Sequence, residues 1–92
     1  MIEVTDKIDV SIIIVNYNTG KLTKDCLNSV FQYTKGVNFE VIVVDNASTD
    51  DSIRMIRNEF KYVQLIESNE NIGFGRANNI GFETAKGNIC FC

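Results

Sequence analysis

The sequence predicts an α/β domain with an open, mostly parallel β-sheet and helices on both faces. Short β-branched runs alternate with segments of helical periodicity, in the order β-α-β-α-β-α-β. The strand runs are almost continuously apolar, which is typical of parallel strands covered on both faces. We expect the strands to be joined by right-handed helical crossovers and to lie in the order 3-2-1-4.

The first strand is predicted at "VSIIIVN", residues 10–16, and the first helix at "KLTKDCLNSVFQYTKG", residues 21–36. Five apolar side chains recur at helical spacing and predict the inner face of this helix. They are Leu22, Cys26, Leu27, Val30 and Phe31. Gly36 stands where a helix ends in the left-handed conformation.

The second strand is predicted at "FEVIVVD", residues 39–45, and the second helix at "STDDSIRMIRNEF", residues 48–60. We expect Ser48 or Thr49 to cap this helix, with two aspartates favourably placed at its positive end. The side chains expected to turn inward are Ile53, Ile56 and Phe60.

The third strand is predicted at residues 63–67, the third helix at residues 74–87 and the fourth strand at residues 88–92. Gly87 is expected to close the third helix. Its predicted inner residues are Ala77, Ile80 and Ala85. Because the sequence stops inside a strand, we expect residues 1–92 to form one domain at the front of a longer protein. The alternative is a complete four-stranded domain that ends in a short edge strand.

Composition and charge exclude several classes of function. The net charge is −3 and no basic patch stands out, which argues against a nucleic-acid partner. The chain has no histidine, so it contains no histidine base or metal ligand. It has neither an export signal nor a CxxC pair, so we expect a reduced cytoplasmic compartment. Cys90 and Cys92 are expected to be buried free thiols rather than a soft-metal pair.

In an open parallel sheet, ligands bind at the carboxyl ends of the strands, near the point where the strand order reverses. After the first strand comes "NYNTGK". Tyr17 can stack on a flat ring, Asn18 and Thr19 can donate hydrogen bonds, and Gly20 allows close approach. The alternative is a turn that only caps the following helix.

After the second strand comes "DNASTD". The carboxylate of Asp45 can accept a hydrogen bond from a ribose hydroxyl, from a base or from local backbone groups. Asn46 both donates and accepts, which suits the edge of a pyrimidine. The alternative is that Asp45 only bonds neighbouring N–H groups ahead of the second helix.

The loop "NENIGFGRANN" contains Gly73 and Gly75 but does not fit the dinucleotide-binding fingerprint. Asn78 occupies the third glycine position, and the motif follows the third strand rather than the first. The glycines and the helix N-terminus can still receive a phosphate. Arg76 can offset the charge of a diphosphate or can be an ordinary surface arginine.

Three stretches together resemble the start of an inverting family 2 glycosyltransferase of the GT-A fold. They are "VSIIIVNYN", "VIVVDNASTDDS" and "NENIGFGRANNIGFETAKGN", in that family's order and spacing. The resemblance runs from Val10 to Cys92 and is strongest to the rhamnosyltransferase-like branch, which builds O-antigen and other surface polysaccharides. Many relatives have proline and threonine in place of Val15 and Asn16. The resemblance implies that residues 1–92 form a single Rossmann-like, nucleotide-sugar-binding subdomain of that fold, truncated in its fourth strand.

The resemblance implies eight residues that contact the nucleotide-sugar donor. They are Val15, Tyr17, Asn18, Asp45, Asn46, Gly75, Arg76 and Asn79. The first three would shape the nucleobase pocket, the next two would contact base and ribose, and the last three would lie beside the ribose-diphosphate.

The resemblance also implies what lies beyond the chain. The family's metal-binding D-x-D-like motif follows the fourth strand, and the catalytic base and acceptor site come later still. The full-length enzyme would therefore use a divalent cation, Mg²⁺ or Mn²⁺, whose ligands are outside residues 1–92. It would transfer a sugar from a dTDP- or UDP-linked donor to a polysaccharide or lipid-linked acceptor, at the inner face of the membrane, and this chain alone would be inactive.

Two other functions are weighed against this one. A non-catalytic α/β module would self-associate through the exposed edge of the fourth strand. A dinucleotide oxidoreductase is disfavoured by the missing third glycine.

Overall fold

The computed structural model of the protein describes residues 7–91, which form four strands and three helices. In chain order they are β1 (Val10–Asn16), α1 (Gly20–Tyr33), β2 (Phe39–Asp45), α2 (Ser52–Glu59), β3 (Gln64–Glu67), α3 (Phe74–Thr84) and β4 (Asn88–Phe91). The strands form one sheet in the order β3-β2-β1-β4, and each neighbouring pair is parallel. The predicted fold class and strand order are confirmed.

The two central strands, β1 and β2, pair along their whole length, from Val10 opposite Phe39 to Asn16 opposite Asp45. Their apolar side chains point alternately to the two faces of the sheet. On one face they pack against α1 and α2, in a cluster of Ile12, Ile14, Leu27, Val41, Val43 and Ile56. On the other face a smaller cluster holds Ile42, Val44 and Ala77 of α3. Helices on both faces explain the continuous apolar runs.

The inner face of α1 differs from the prediction at two positions, Leu22 and Phe31. Phe31 is 36% exposed, and its ring centroid lies 5.8 Å from that of Phe39. Leu27 is fully buried, and Cys26 and Val30 pack against the core as expected. Leu22 is 71% exposed, and the neighbouring Thr23 is buried instead. The reason is polar: the Thr23 hydroxyl donates a 2.6 Å hydrogen bond to the Asn16 side chain, which turns this residue toward the sheet.

α2 begins at Ser52, so the prediction that Ser48 or Thr49 caps it is wrong. Both residues are held elsewhere: the Ser48 hydroxyl donates to Asp45, and the Thr49 N–H donates to the Asn18 side chain. Contacts with another loop therefore override local capping. Two of the three side chains predicted to turn inward are confirmed, with Ile56 buried and Phe60 packed against the core. Ile53 is only half-buried, and Met55 packs against the core instead.

Gly87 does not end a helix, which corrects its predicted role. α3 ends at Thr84, and Ala85 is its C-cap. A Cβ atom at Gly87 would lie 2.8 Å from the carbonyl oxygen of Ile8 and from the nitrogen of Val10. Glycine is therefore required where the chain enters β4 and passes close to the backbone at the start of β1.

β4 is one of the two edge strands, and among residues 7–91 it pairs only with β1. Cys90 is exposed, so the expected burial of its thiol is wrong, and Phe91 is 54% exposed. Cys92 lies outside the described residues. Within residues 7–91 no helix is long and apolar enough to cross a membrane.

Two glycines of α3 provide a matched test of its packing. A Cβ atom at Gly81 would lie 2.5 Å from Cγ2 of the buried Ile13, whereas one at Gly75 would meet open space. We expect Gly81→Ala to lower the free energy of unfolding by about 1–3 kcal/mol, because a β-branched core residue cannot move aside freely. Gly75→Ala should change it by less than about 0.5 kcal/mol. Urea unfolding measures both, and equal losses would contradict this packing.

Candidate functional site

Three loops meet at the carboxyl ends of the strands, and Asn46 joins them. Its backbone N–H donates to the carbonyl of Asn16 at the end of β1, at 2.9 Å. Its side-chain Nδ2 donates to the carbonyl of Gly73, before α3, at 3.3 Å. The loops after β1, β2 and β3, which the sequence singled out separately, are therefore in direct contact.

Asp45 ends β2 and is fully buried. Its Oδ1 accepts hydrogen bonds from Asn16 Nδ2 and from the Ser48 hydroxyl, both at 2.7 Å. Its Oδ2 accepts the backbone N–H of Ser48 at 2.9 Å. Both carboxylate oxygens are thus engaged by neutral donors of the protein itself. This is the local bonding that the sequence left open as an alternative. Contact between Asp45 and a nucleotide-sugar substrate stays a prediction.

Asn46 carries an unsatisfied acceptor. Its side chain is 2% exposed, and its Oδ1 has no hydrogen-bond partner among the described residues. The orientation of the amide is determined by Gly73, because a carbonyl oxygen can accept only from the Nδ2 side. A buried acceptor without a partner costs about 1–3 kcal/mol, so it indicates a place for a donor from a bound molecule.

The loop after β1 contains the aromatic ring of Tyr17 and the amide of Asn18, which bonds the loop after β2. Tyr17 is 46% exposed, so part of its ring is accessible at this edge. Asn18 turns inward to the loop after β2, where its Oδ1 accepts the N–H groups of Thr49 at 2.7 Å and Asp50 at 3.2 Å. Val15 is half-buried and packs on the α3 side of the sheet.

Each of the three loops contains a residue in the left-handed region. These residues are Asn18 (φ +53°), Ala47 (φ +64°) and Gly73 (φ +86°). Ala47 has no polar side chain that stabilises this conformation, so it costs of order 1–2 kcal/mol. Such strain persists only where surrounding contacts determine the backbone, and it clusters at functional sites. The loops are therefore held in one conformation at the place where the unsatisfied Asn46 lies.

The N-terminus of α3 forms the third side of this edge. The Gly73 N–H is bonded by the side chain of Asn71 at 2.8 Å. Gly75, Arg76 and Asn79 are exposed, and Arg76 forms no ion pair with any residue in the range 7–91. The structure thus places the three predicted diphosphate contacts at solvent, on the helix that Asn46 anchors.

Asp50 lies where the N-termini of α1 and α2 come together. Its carboxylate accepts the hydroxyl and the N–H of Ser52, the first residue of α2, and the N–H of Gly20, the first residue of α1. The hydroxyl of Ser52 is the main reason that the pKa of Asp50 falls below its usual 3.8, and the two N–H groups act in the same direction. This carboxylate joins the two helix starts and complements both dipoles.

The described residues do not form a cation site. Between residues 7 and 91, no group of three or more His, Cys, Asp or Glu side chains is placed to hold a metal ion. The one carboxylate at the loop junction, Asp45, already has both oxygens engaged. That the cation ligands lie elsewhere in a longer protein stays a prediction.

Sequence reasoning missed two residues of this junction, Asn16 and Ser48. The sequence predicts Asn16 only as the last residue of a strand and Ser48 as a helix cap. The available signal was position: an amide at the end of an apolar strand faces the interior, where it needs partners.

The comparison with known families follows this geometry. Residues 11–92 match the sequence model of the family described as "Glycosyl transferase family 2". The chain therefore belongs to this family, and its sheet order and helices match the GT-A fold.

Two curated relatives illustrate the relationship. Glycosyltransferase GlyG of Streptococcus pneumoniae serotype 4 is 31% identical over 81 residues, which cover 85% of this chain and 27% of GlyG. Poly(ribitol-phosphate) beta-N-acetylglucosaminyltransferase TarS of Staphylococcus aureus is 34% identical over 82 residues, which cover 84% of this chain and 14% of TarS. The chain thus spans about a quarter or less of these relatives.

Solved structures of glycosyltransferases are also similar to this chain. The crystal structure of S. aureus TarS 1–349 in complex with UDP superposes with a TM-score of 0.82 at 26% identity, covering 92% of this chain and 27% of that one. The mannosyltransferase PcManGT from Pyrobaculum calidifontis, in complex with GDP-Man and Mn²⁺, gives a TM-score of 0.72 at 28% identity, covering 88% of this chain and 25% of that one.

The lowered pKa of Asp50 predicts a pH-dependent contribution to stability. A folded-state pKa below the unfolded one stabilises the protein above about pH 4, and this is lost as the pH falls through the folded-state value. At pH 7 we expect Asp50→Asn to lower the free energy of unfolding by about 0.3–1 kcal/mol. The difference from wild type should vanish near pH 2, and Asp25→Asn on the exposed side of α1 provides the control. A difference that persists at pH 2 would contradict the prediction.

Proposed function

We propose that this chain is the nucleotide-sugar-binding part of an inverting glycosyltransferase. The whole enzyme transfers a sugar from a UDP- or dTDP-linked donor to a polysaccharide or lipid-linked acceptor in cell-surface glycan synthesis, on the cytoplasmic side of the membrane. The observation that carries this proposal is the buried Oδ1 of Asn46 at the loop junction, which has no hydrogen-bond partner in the described part of the chain.

The chemistry of that oxygen selects among nucleobases. Uracil and thymine both carry a ring N3–H, which is the donor that a fixed carbonyl acceptor requires. Cytosine presents an unprotonated ring nitrogen at the same position, so two acceptors would face each other. A site built around a buried polar group discriminates strongly against a ligand that leaves the group unpaired. Asn46 therefore favours uracil or thymine over cytosine.

The surrounding groups suit the rest of a nucleotide sugar. The half-exposed ring of Tyr17 can stack on the base. The N-terminus of α3 can receive the diphosphate, with Gly75 and with the cation of Arg76, which forms no ion pair within residues 7–91. Asp45 affects base binding indirectly. It accepts hydrogen bonds from Asn16 and Ser48, and it directly precedes Asn46 in the chain.

The relatives support the same class of ligand. TarS, which is similar to this chain, has been solved with UDP and with UDP-GlcNAc. PcManGT has been solved with GDP-Man and Mn²⁺. These titles support a nucleotide-sugar donor and a divalent cation for the whole enzyme. When bound, the cation would offset charge on the leaving diphosphate, and its ligands would come from residues beyond those described.

A second candidate function rests on β4. The edge strand carries the exposed Cys90 and Phe91, and its outer backbone groups are unpaired within residues 7–91. An edge of this kind can pair with a second copy of the chain. A self-assembling module would sediment as a dimer or larger species at micromolar concentration, whereas a strict monomer counts against it.

Titration of the isotope-labelled protein with UDP, dTDP and CDP, each with Mn²⁺ or Mg²⁺, tests the main proposal. We expect UDP and dTDP to shift the amide signals of Tyr17 and Asn46, and CDP to bind at least about tenfold more weakly. Mg²⁺ is the choice for the spectra because Mn²⁺ broadens nearby signals, and Mn²⁺ serves for calorimetry.

Asn46→Ala should weaken UDP binding by about tenfold, since it removes the acceptor for the base. Asn58→Ala is the matched control, because it removes an exposed amide from the last turn of α2, at the opposite end of the sheet. Equal affinity for UDP and CDP, or unchanged UDP binding by Asn46→Ala, would contradict the proposal.

A further inference from the structure

The side chain of Asn16 uses its full hydrogen-bonding capacity inside the protein. It is fully buried. Its Nδ2 donates to Asp45 Oδ1 at 2.7 Å and to the Ser48 hydroxyl at 3.1 Å. Its Oδ1 accepts the hydroxyls of Thr23 at 2.6 Å and Thr19 at 3.0 Å. An amide has two donors and two acceptor sites, so every one of them is occupied.

These four bonds connect three separate segments. Thr19 and Thr23 belong to the start of α1, Asp45 is the last residue of β2, and Ser48 lies in the loop that follows. The Ser48 hydroxyl also receives the N–H of Asn18, at 2.9 Å, from the loop after β1. The buried side chain of Asn16 therefore links the loop after β1 to the loop after β2 by hydrogen bonds.

The two loops so joined carry the groups that face the base in the proposed function. Tyr17 directly follows Asn16, and Asn46 directly follows Asp45. The carbonyl of Asn16 also accepts the Asn46 N–H. A change in the Asn16 amide would thus alter the spacing between the ring of Tyr17 and the free oxygen of Asn46, although Asn16 itself is too deeply buried to touch a ligand.

We propose that Asn16 is a positioning residue, whose buried amide locks the loops after β1 and β2 together and so sets the distance between Tyr17 and Asn46. This inference rests on the proposed function for its effect on nucleotide binding, and on the described contacts alone for the locking of the loops. The two parts are tested separately.

A pair of isosteric variants isolates the hydrogen bonds from the shape. Asn16→Thr keeps a hydroxyl, which can donate to Asp45 and accept from Thr23. Asn16→Val has the same shape and can do neither. The matched control for general destabilisation is Ile56→Val, which shortens a buried side chain of α2 without touching the loops.

The first measurement is amide hydrogen exchange without ligand. The reporters are the N–H groups of Thr49 and Asp50, which donate across the loops to Asn18. Relative to the amides of central β2, we expect them to exchange at least about tenfold faster in Asn16→Val, with Asn16→Thr between that and wild type. In Ile56→Val the ratio should stay at the wild-type value. An unchanged ratio in Asn16→Val overturns the proposal. If Asn16→Val does not fold, Asn16→Thr against wild type decides it, because threonine retains at most half of the four bonds.

The second measurement is the affinity for UDP, corrected for the folded fraction of each variant. Asn16→Val should bind at least about tenfold more weakly, and Asn16→Thr by less than about threefold. Equal affinities for wild type, Asn16→Thr and Asn16→Val would refute the positioning role, because a purely structural residue changes the folded fraction only. If wild type binds neither UDP nor dTDP, the proposed function fails, and the exchange measurement still decides whether Asn16 locks the loops.

Discussion

The hydrogen bond between Asn16 Nδ2 and Asp45 Oδ1, 2.7 Å long, joins the last residues of the two central strands. A buried carboxylate and a buried amide are costly unless each polar atom is paired. The pairing demanded here extends outward: Asp45 holds Ser48, Ser48 holds Asn18, and Asn18 holds the next turn of chain. One buried polar contact between strands thus dictates the conformation of the loops above it.

The consequence for function is a junction that is rigid and incompletely satisfied. The positive φ angle of Ala47 is maintained by these contacts and not by local preference, whereas Asn18 and Gly73 are residue types that adopt such angles readily. Within this framework Asn46 uses its donor atoms on backbone carbonyls and keeps its Oδ1 without a partner. Because this oxygen is buried, a base reaches it only when neighbouring groups move aside, while the bonds of Asp45 to Asn16 and Ser48 keep the rest of the junction in place.

The sequence was sufficient for the parts of the fold that depend on periodicity. Apolar runs and helical spacing predict the parallel strands, the helices on both faces and the inward side chains Ile56 and Ala77. It was insufficient where distant groups compete for a residue. Thr23 displaces Leu22 from the interior because it bonds Asn16 across the helix–sheet boundary, and Ser48 leaves the helix cap because Asp45 takes its hydroxyl. The sequence predicts which loops form the site, but it does not predict that Asn16 bonds the loops after β1 and β2 together, because long-range polar pairing leaves no periodic trace.

The most direct test of the proposed role of Asn46 as the acceptor for the base is the crystal structure of the protein with UDP. We expect the Oδ1 of Asn46 to lie within hydrogen-bonding distance, about 2.7–3.2 Å, of the uracil N3 nitrogen. We also expect the bonds from Asn16 to Asp45 and Ser48 to stay as they are without nucleotide. A base bound elsewhere, with the Oδ1 of Asn46 still without a partner, would contradict the proposed role.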